Sequence, residues 1–514
     1  MHDESTPLRP RPAPPPAASS IRNILFSCLP MVALTAADGA LVLAAYPTLG
    51  SKFHHLDDVA WCMISYQIGV ILGQSIYSRL SDKIGRKKVM LGAHGIFIIG
   101  VICQSFAPDF WFIVGARAIT GLGTAGMPLM VNTILNDISG EETRGVWLAL
   151  VQTATALGQF FGGVCGGYIL EKVGWQAVSI CELCYAVLSF VLVWWSLSPP
   201  THDLLPTPFN IPSAVALTLC LWSLVSLLDT DHFGVGTPLF LIIVFVMALY
   251  LMETRAEASL VPWRRLGDKS MLYVLSLAPI TAVTDMSILN LIPYYVQASE
   301  IGRVAAAGWL QLALTTAEII ALSLCSFFKR DRHVFMASRA LACFSACIFS
   351  FGNDYVKTAN LVLAGLSSGL ANGTSITMIM RYTKRRGVET ERCILYGAYH
   401  LVIAIGNLFA NSVVLWILQY NAAREIRMRL GGDYPGGINK LVKECLQSFD
   451  YIDTLPDWMR ARIRSSFLQA IQTCFVYIAV ISALGATLSV LCGYGYPREE
   501  AVGDSVERQR HHGL

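Results

Sequence analysis

Apolar residues run through this chain in blocks closed off by short polar turns, and a helix needs about 20 mostly apolar residues to cross a bilayer. Such blocks fall near 23-50, 59-80, 89-107, 110-135, 146-170, 175-197, 211-229, 236-253, 271-297, 304-328, 333-351, 358-380, 394-420 and 466-494. The pattern predicts fourteen membrane-spanning helices, an even number that leaves both termini on one side. One interval is too long for a simple turn. Residues 421-465 carry mixed charges and the run GGDYPGG, and are predicted as an outer loop between the last two helices.

Composition narrows the class. With 54% hydrophobic and 14% charged residues and a mean hydropathy of +0.53, the chain is too apolar for a soluble globular domain and reads as an all-α membrane protein with the lipid bilayer as its solvent. The net charge of +3 is scattered over short loops, so no continuous basic face is offered to nucleic acid. The first residues, MHDESTPLRPRPAPPPAASS, are polar and Pro-rich without the layout of a cleavable signal; 1-22 is predicted as a disordered cytosolic tail, with a second tail over 495-514. Cysteine pairs such as Cys181/Cys184 and Cys343/Cys347 have helical spacing and no His or carboxylate to complete a metal set. They are read as lipid- or helix-facing, and neither a metal nor a cofactor is expected. No G-x-x-x-x-G-K-[ST] loop appears, so ATP is not the expected energy source and no enzyme activity is expected.

Lys and Arg in the short loops set the orientation. One set of turns holds Arg79, Lys83, Arg86, Lys87, Lys88, Arg144, Arg255, Arg264, Arg265, Lys269, Lys329, Arg330, Arg332, Arg381, Lys384, Arg385, Arg386 and Arg392. The alternate turns hold only Lys52, Lys172, Arg303 and Lys357. The first set is therefore predicted to be cytoplasmic, with both termini. The basic turn SRLSDKIGRKK after helix 2 has a counterpart, KRDRH, after helix 10. With helices 7 and 8 as an insertion, helices 1-6 and 9-14 become two matched six-helix halves, the layout of a transporter. The expected organisation is a bundle over 23-197, a linker with the inserted pair over 198-270, and a second bundle over 271-494.

SRLSDKIGRKK resembles the loop between the second and third helices of the major facilitator superfamily, G-x-L-x-D-x-x-G-R-[RK]-x, matching at Asp82, Gly85, Arg86 and Lys87 with Ser78 in place of the first Gly. Gly85 permits a tight turn and Asp82 can accept charge-assisted hydrogen bonds. The resemblance implies a conformational latch between the halves; the plainer reading is that the cations only set topology. DGALVLAAYP is similar to the first-helix signature D-x-T-x-x-N-x-A-x-P of the family's fourteen-helix drug:proton antiporter branch, with Ala40 and Leu43 replacing its Thr and Asn. WCMISY matches the second-helix W-x-x-x-x-Y, and RAITGLGTA resembles R-x-x-Q-G-x-G with Thr120 at the Gln position. GQFFGGVCGG, with Gly158, Gly162, Gly163, Gly166 and Gly167, resembles the antiporter motif G-x-x-x-G-P-x-x-G-G, Gly163 standing where Pro is usual. Small residues at this spacing let helices approach closely, and Gly163 leaves the helix able to bend. The resemblance covers nearly the whole chain and implies the major facilitator fold.

Ionisable side chains inside membrane helices are costly and invite a functional reading. Asp38 lies about 15 residues into helix 1, or roughly 22 Å, and Asp285 lies equally far into helix 9. Glu318 is midway along helix 10, while Arg117 and Glu182 enter helices 4 and 6 from the outer side by about 10 Å. A carboxyl at such depth can take up and release protons near neutral pH, and the resemblance links Arg117 to proton transfer. Structural readings stand beside these: an Arg117–Glu182 ion pair, a packing carboxyl at Asp38, and plain structural roles for Asp285 and Glu318. Arg339, near the cytoplasmic end, is expected to snorkel. LNLIPYYVQ offers Asn290, Tyr294, Tyr295 and Gln297 to a cavity for amphipathic or aromatic solutes, with Trp309 and Gln311 joining from helix 10. For Tyr294, Tyr295 and Trp309 the alternative is the interfacial aromatic belt.

The resulting expectation is a monomeric, proton-coupled exporter of small organic molecules working by alternating access in the plasma membrane. The alternatives are a vacuolar proton-coupled basic amino acid transporter and a transporter-like sensor that binds a ligand without moving it.

Overall fold

The computed structural model describes residues 18-56, 58-138, 144-197, 211-227, 236-255, 269-299, 304-325, 331-351, 354-386, 392-430, 437-447 and 449-493. Residues 1-17 of the first expected tail, all of the second (495-514), the linker stretches 198-210, 228-235 and 256-268, and the cations Arg303, Lys329 and Arg330 lie outside the described residues.

Among the described residues the chain folds into helices and connecting turns. The first half comprises α1 (Ala18–Phe53), α2 (Ala60–Ile84), α3 (Arg86–Ser105), α4 (Phe110–Ile138), α5 (Arg144–Phe160), a π-helical turn (Phe161–Gly166), α6 (Gly167–Lys172) and α7 (Trp175–Ser196). Two helices follow, α8 (Ile211–Ser226) and α9 (Gly236–Arg255). The second half comprises α10 (Lys269–Ala298), α11 (Val304–Cys325), α12 (Asp331–Phe351), α13 (Asp354–Arg386), α14 (Arg392–Phe409), a second π-helical turn (Ala410–Val414), α15 (Leu415–Leu430), α16 (Ile438–Gln447), α17 (Phe449–Asp453) and α18 (Asp457–Gly493).

Ten helical stretches among the described residues are long and apolar enough to cross a membrane, and α8 with the Gly236–Met252 part of α9 adds two shorter apolar helices. The blocks at 59-80 and 146-170 are helical too but fall outside the ten, for physical reasons. Tyr66, Gln67 and Gln74 dilute the apolar character of α2, and the π-helical turn divides the other block.

In the first half α4 packs between α2 and α3, and α1 packs on α5 and α7; in the second, α13 packs on α11 and α12, and α10 on α14 and α18. The halves meet where α2 faces α14 and α5 faces α11, while α8 packs on α2 and on α9. Below, the side bearing the turn at Asp82–Lys88 is the basic face, and the side bearing Phe53 is the far face.

The 421-465 segment departs from the expected loop. It is largely helical: α15 continues to Leu430, and α16, α17 and the first turns of α18 fill most of the rest. One side of α16 carries Leu441, Val442 and Cys445, and these bury with Phe449 and Ile452 in a core shared with Leu49 and Leu56 of the first half. Backbone polar groups close the same contact. The Leu56 amide donates to the Gln447 carbonyl at 3.2 Å, the Phe449 amide to Ser51 Oγ at 3.0 Å, and Gln419 Nε2 to the Leu56 carbonyl at 3.4 Å. The segment is thus a strap across the halves at the far face. Phe449 anchors it between Tyr294 and Phe467, with ring centroids 6.3 and 5.0 Å away. Phe449→Ala is expected to cost about 3–5 kcal/mol, read as an earlier thermal unfolding transition in detergent.

Candidate functional site

In the first half, α1 and α4 carry Asp38 and Arg117 to one point in the bundle. Arg117 Nη1 donates to Asp38 Oδ1 at 2.7 Å and Nη2 to Oδ2 at 3.4 Å, with Asp38 only 1% exposed. This two-toothed fit is what a planar guanidinium offers a carboxylate and an ammonium does not. Gln104 on α3 extends the network: its Oε1 accepts from Arg117 Nη1 at 3.5 Å, and its Nε2 donates to Glu182 Oε2 at 3.2 Å. The Arg117 guanidinium also sits over the Tyr66 ring, 4.6 Å from its centroid, where the ring face favours a cation. The Arg117–Glu182 ion pair weighed from the sequence is corrected: the guanidinium takes Asp38, and Glu182 joins through the Gln104 amide. Glu182 Oε1 is left buried without a hydrogen bond.

The second half holds two carboxyls on facing helices. Ser368 Oγ on α13 lies 2.7 Å from Asp285 Oδ2 on α10 and 3.1 Å from Glu318 Oε1 on α11. Asn372, one turn on, donates from Nδ2 to Glu318 Oε1 at 3.4 Å, and the Tyr399 hydroxyl of α14 donates to Asn372 Oδ1 at 3.4 Å. Arg339 of α12 does not snorkel; it is 1% exposed, its Nε and Nη2 make no hydrogen bond, and its charge acts on Asp285. The expectation failed because α12 is covered by α13 and α18, so no path along the helix leads the guanidinium to water.

Between the halves lies a cavity of about 190 Å³ lined by Tyr66, Gln67, Gln74 and Asn132 of the first half and His400 and Asn407 of the second, among others. Its α4 lining, Thr124 to Asn132, lies about two to four turns beyond Arg117 toward the basic face. His400 packs edge-on against Tyr399 at 5.6 Å, which links the cavity wall to the Asp285–Glu318 network.

Other expected cavity residues are placed differently. Asn290 Nδ2 donates to Asn411 Oδ1 at 2.8 Å, a buried contact within the second half. Tyr294 is buried against Phe449 rather than exposed to lipid, and Gln297 is half-buried. Trp309 is 56% exposed and sits edge-on against Phe160, away from the cavity. Gln311 is 3% exposed, with both amide atoms unpaired.

The glycine motif forms the seam. Gly158 and Gly162 press against the Ala33 and Ala37 backbone of α1, Gly166 meets the Leu41 side chain, and Gly167 opens α6. Gly163 faces the second half, where a Cβ at Gly308 of α11 would meet its carbonyl carbon at 2.5 Å. The motif's usual Pro is absent, yet the helix is irregular at the same place, because the π-helical turn spans Phe161–Gly166.

At the basic face Gly85 takes φ +94°, the left-handed region that glycine enters without strain, and so lets α2 end and α3 begin. Asp82 Oδ1 and Arg86 Nη2 are 4.0 Å apart, and Lys87 Nζ donates to the Trp194 carbonyl at 2.9 Å, putting a cation at the end of α7 where the helix dipole favours it. Ser78 touches α14: a Cβ on Gly397 would lie 3.2 Å from Ser78 Cβ. The second half has a matching contact, Arg381 Nη1 to Asp331 Oδ2 at 2.6 Å.

Two helical halves meeting around a polar cavity, with ionisable side chains buried in each, define a multi-pass membrane protein built to carry a small solute. The description Major Facilitator Superfamily matches residues 28–411, and the chain belongs to that family, with its all-helical fold. It is 22% identical over 477 residues to the multidrug resistance protein fnx1 of Schizosaccharomyces pombe, covering 88% of each chain. It is 20% identical over 466 residues to vacuolar basic amino acid transporter 2 of Saccharomyces cerevisiae, covering 84% of this chain and 97% of that one. The vacuolar membrane amino acid uptake transporter fnx2 of Schizosaccharomyces pombe is 29% identical over 184 residues, 36% of this chain and 32% of the relative. Among solved structures, a bacterial homologue of the human lysosomal transporter Spinster, inward-facing and unoccupied, superposes with a TM-score of 0.61 at 12% identity, covering 93% of this chain and 98% of that one. That likeness shows the fold. These relatives and neighbours are transporters rather than enzymes.

Proposed function

We propose that this protein exports small organic molecules in exchange for protons by alternating access, with fourteen crossings in two six-helix bundles, α8 and α9 inserted between them, and the basic face toward the cytosol. The observation that carries the reading is the buried chain Asp38–Arg117–Gln104–Glu182, which sets two carboxyls around one fixed cation beside a solute-sized cavity. One carboxyl more than the guanidinium can balance is the arrangement that a bound proton completes. The Gly163–Gly308 seam and the Ser78–Gly397 contact at the head of the basic turn support the alternation, as places where glycine lets the halves meet closely. The plasma membrane is the address this reading implies.

The second reading, proton-coupled movement of basic amino acids across a vacuolar membrane, draws on what two of the relatives are named for. The cavity wall favours the first. The Tyr66 ring, amides and His400 line it among apolar side chains, with no carboxylate among its described lining residues to pair with a localised ammonium or guanidinium, a partner that a charge-delocalised dye does not need. Purified protein in liposomes with an imposed pH gradient is expected to move rhodamine 6G against its concentration gradient and to leave labelled lysine and arginine unmoved. Gradient-driven lysine or arginine movement with no effect on the dye would replace the first reading by the second. Saturable binding of any of these without movement would identify a sensor.

A further inference from the structure

We infer that Ser368 is a proton relay between Glu318 and Asp285, a role that rests on the proton-coupled reading above. A serine hydroxyl carries one hydrogen and two lone pairs. Ser368 Oγ stands 2.7 Å from Asp285 Oδ2 and 3.1 Å from Glu318 Oε1, so its single hydrogen satisfies one of them, and the shorter contact to Asp285 takes it. Asn372 cannot supply Asp285's place in this scheme: its Nδ2 donates to Ser368 Oγ at 3.3 Å and to Glu318 Oε1 at 3.4 Å, and Tyr399 fixes the amide in that orientation. With both acids ionised, Glu318 Oε1 would face a lone pair of the serine at hydrogen-bond distance. The contact becomes a hydrogen bond when Glu318 carries a proton on Oε1 and donates it to Oγ.

The transfer then balances in one concerted step. The Glu318 hydrogen passes to Ser368 Oγ while the serine's own hydrogen passes to Asp285 Oδ2. Serine ends as it began, the proton has moved from α11 to α10, and the negative charge has moved the other way. Arg339 of α12 is buried with its Nε and Nη2 unpaired, a fixed cation whose field the moving negative charge feels. The other titratable groups facing the site are Tyr273 of α10, engaged with Ser489 at 3.0 Å, Cys325 of α11 beside the Gly369 carbonyl, and Tyr399 and His400 of α14.

The test compares wild type with Glu318→Gln, Ser368→Ala and Ser368→Thr in liposomes, by infrared difference spectra between low and high pH and by the pH profile of rhodamine 6G transport. Glu318→Gln is expected to remove a protonated-carboxyl stretch. Ser368→Ala is expected to change its frequency and to lower the midpoint of its loss by up to about one pH unit, the effect of one missing hydrogen bond donated by the neutral carboxyl. Ser368→Thr, which keeps the hydroxyl, is expected to match wild type in both readouts. A Ser368→Ala protein with the wild-type band and midpoint overturns the relay, as does a band that survives Glu318→Gln. If Ser368→Ala fails to reach the membrane, Ser368→Cys, a weaker donor, reads the same shift. A wild-type carboxyl band without pH-driven dye movement would instead overturn the export reading and leave the relay standing.

Discussion

Asp38→Asn is expected to abolish gradient-driven transport and also to lower stability, and the two losses are separable. The amide keeps the size of the carboxyl but has no charge, so it can neither balance Arg117 nor exchange a proton. Because the guanidinium is 2% exposed and Asp38 makes its two-toothed contact, the substitution removes the directly bonded carboxylate and leaves the charge to be balanced by Glu182 through the Gln104 amide, a penalty of up to about 3–5 kcal/mol. The double variant Asp38→Asn/Arg117→Gln removes both charges. It is expected to recover most of the thermal stability in detergent, since a buried pair replaced as a whole is often close to neutral, while dye transport in liposomes stays lost. Recovery of transport in the double variant would show that Asp38 only compensates a structural arginine, and would move proton exchange to Glu182 or to the Asp285–Glu318 pair.

Gly308→Val is expected to have a comparable effect by a steric route. A side chain at Gly308 would run into the backbone of Gly163 and Val164, at 2.5 and 2.7 Å from a first carbon, and backbone cannot rotate aside as a flexible side chain does. The halves would have to part at this level. Dye transport should fall to background, and a cysteine in place of Gln311, which is 3% exposed beside Gly163, should become reactive to a water-soluble maleimide in the Gly308→Val protein and stay protected where Gly308 is intact. Protection in both would mean that the contact yields elsewhere and that the seam is not a closing surface.

The reach of the sequence can be judged from individual residues. Asp38, Arg117 and Glu182 stood out because charge is rare in apolar blocks, and burial in one network follows from the same cost that makes them rare. Which of them pair was not legible, since partners on α1, α4 and α7 depend on how each helix is rotated about its axis, and apolar blocks without a strong polar side do not encode rotation. Gln104, Ser368, Asn372 and Tyr399 were missed for a related reason: uncharged polar residues are common in membrane helices and become conspicuous only when they converge. Arg339 was misplaced because distance from a helix end says nothing about the helices that cover it. The far-face strap was hidden by its charges. Its helices bury one side against protein and leave the other polar, which a reading tuned to uniformly apolar blocks takes for a loop.

That strap has a kinetic consequence. Because α16 and α17 are tied by the chain to α15 and α18, their return to residues 51–56 after any opening is a unimolecular event. A tethered partner acts at an effective concentration in the millimolar range, whatever the amount of protein in the membrane. On the proposed alternating-access cycle, the far face would therefore reclose quickly, and a solute entering from the basic side would meet a carrier already prepared to receive it. Lengthening the tether near Gly437, where φ is +91° and no neighbour crowds the position, should slow that return and lengthen the time the opposite doorway stays ajar.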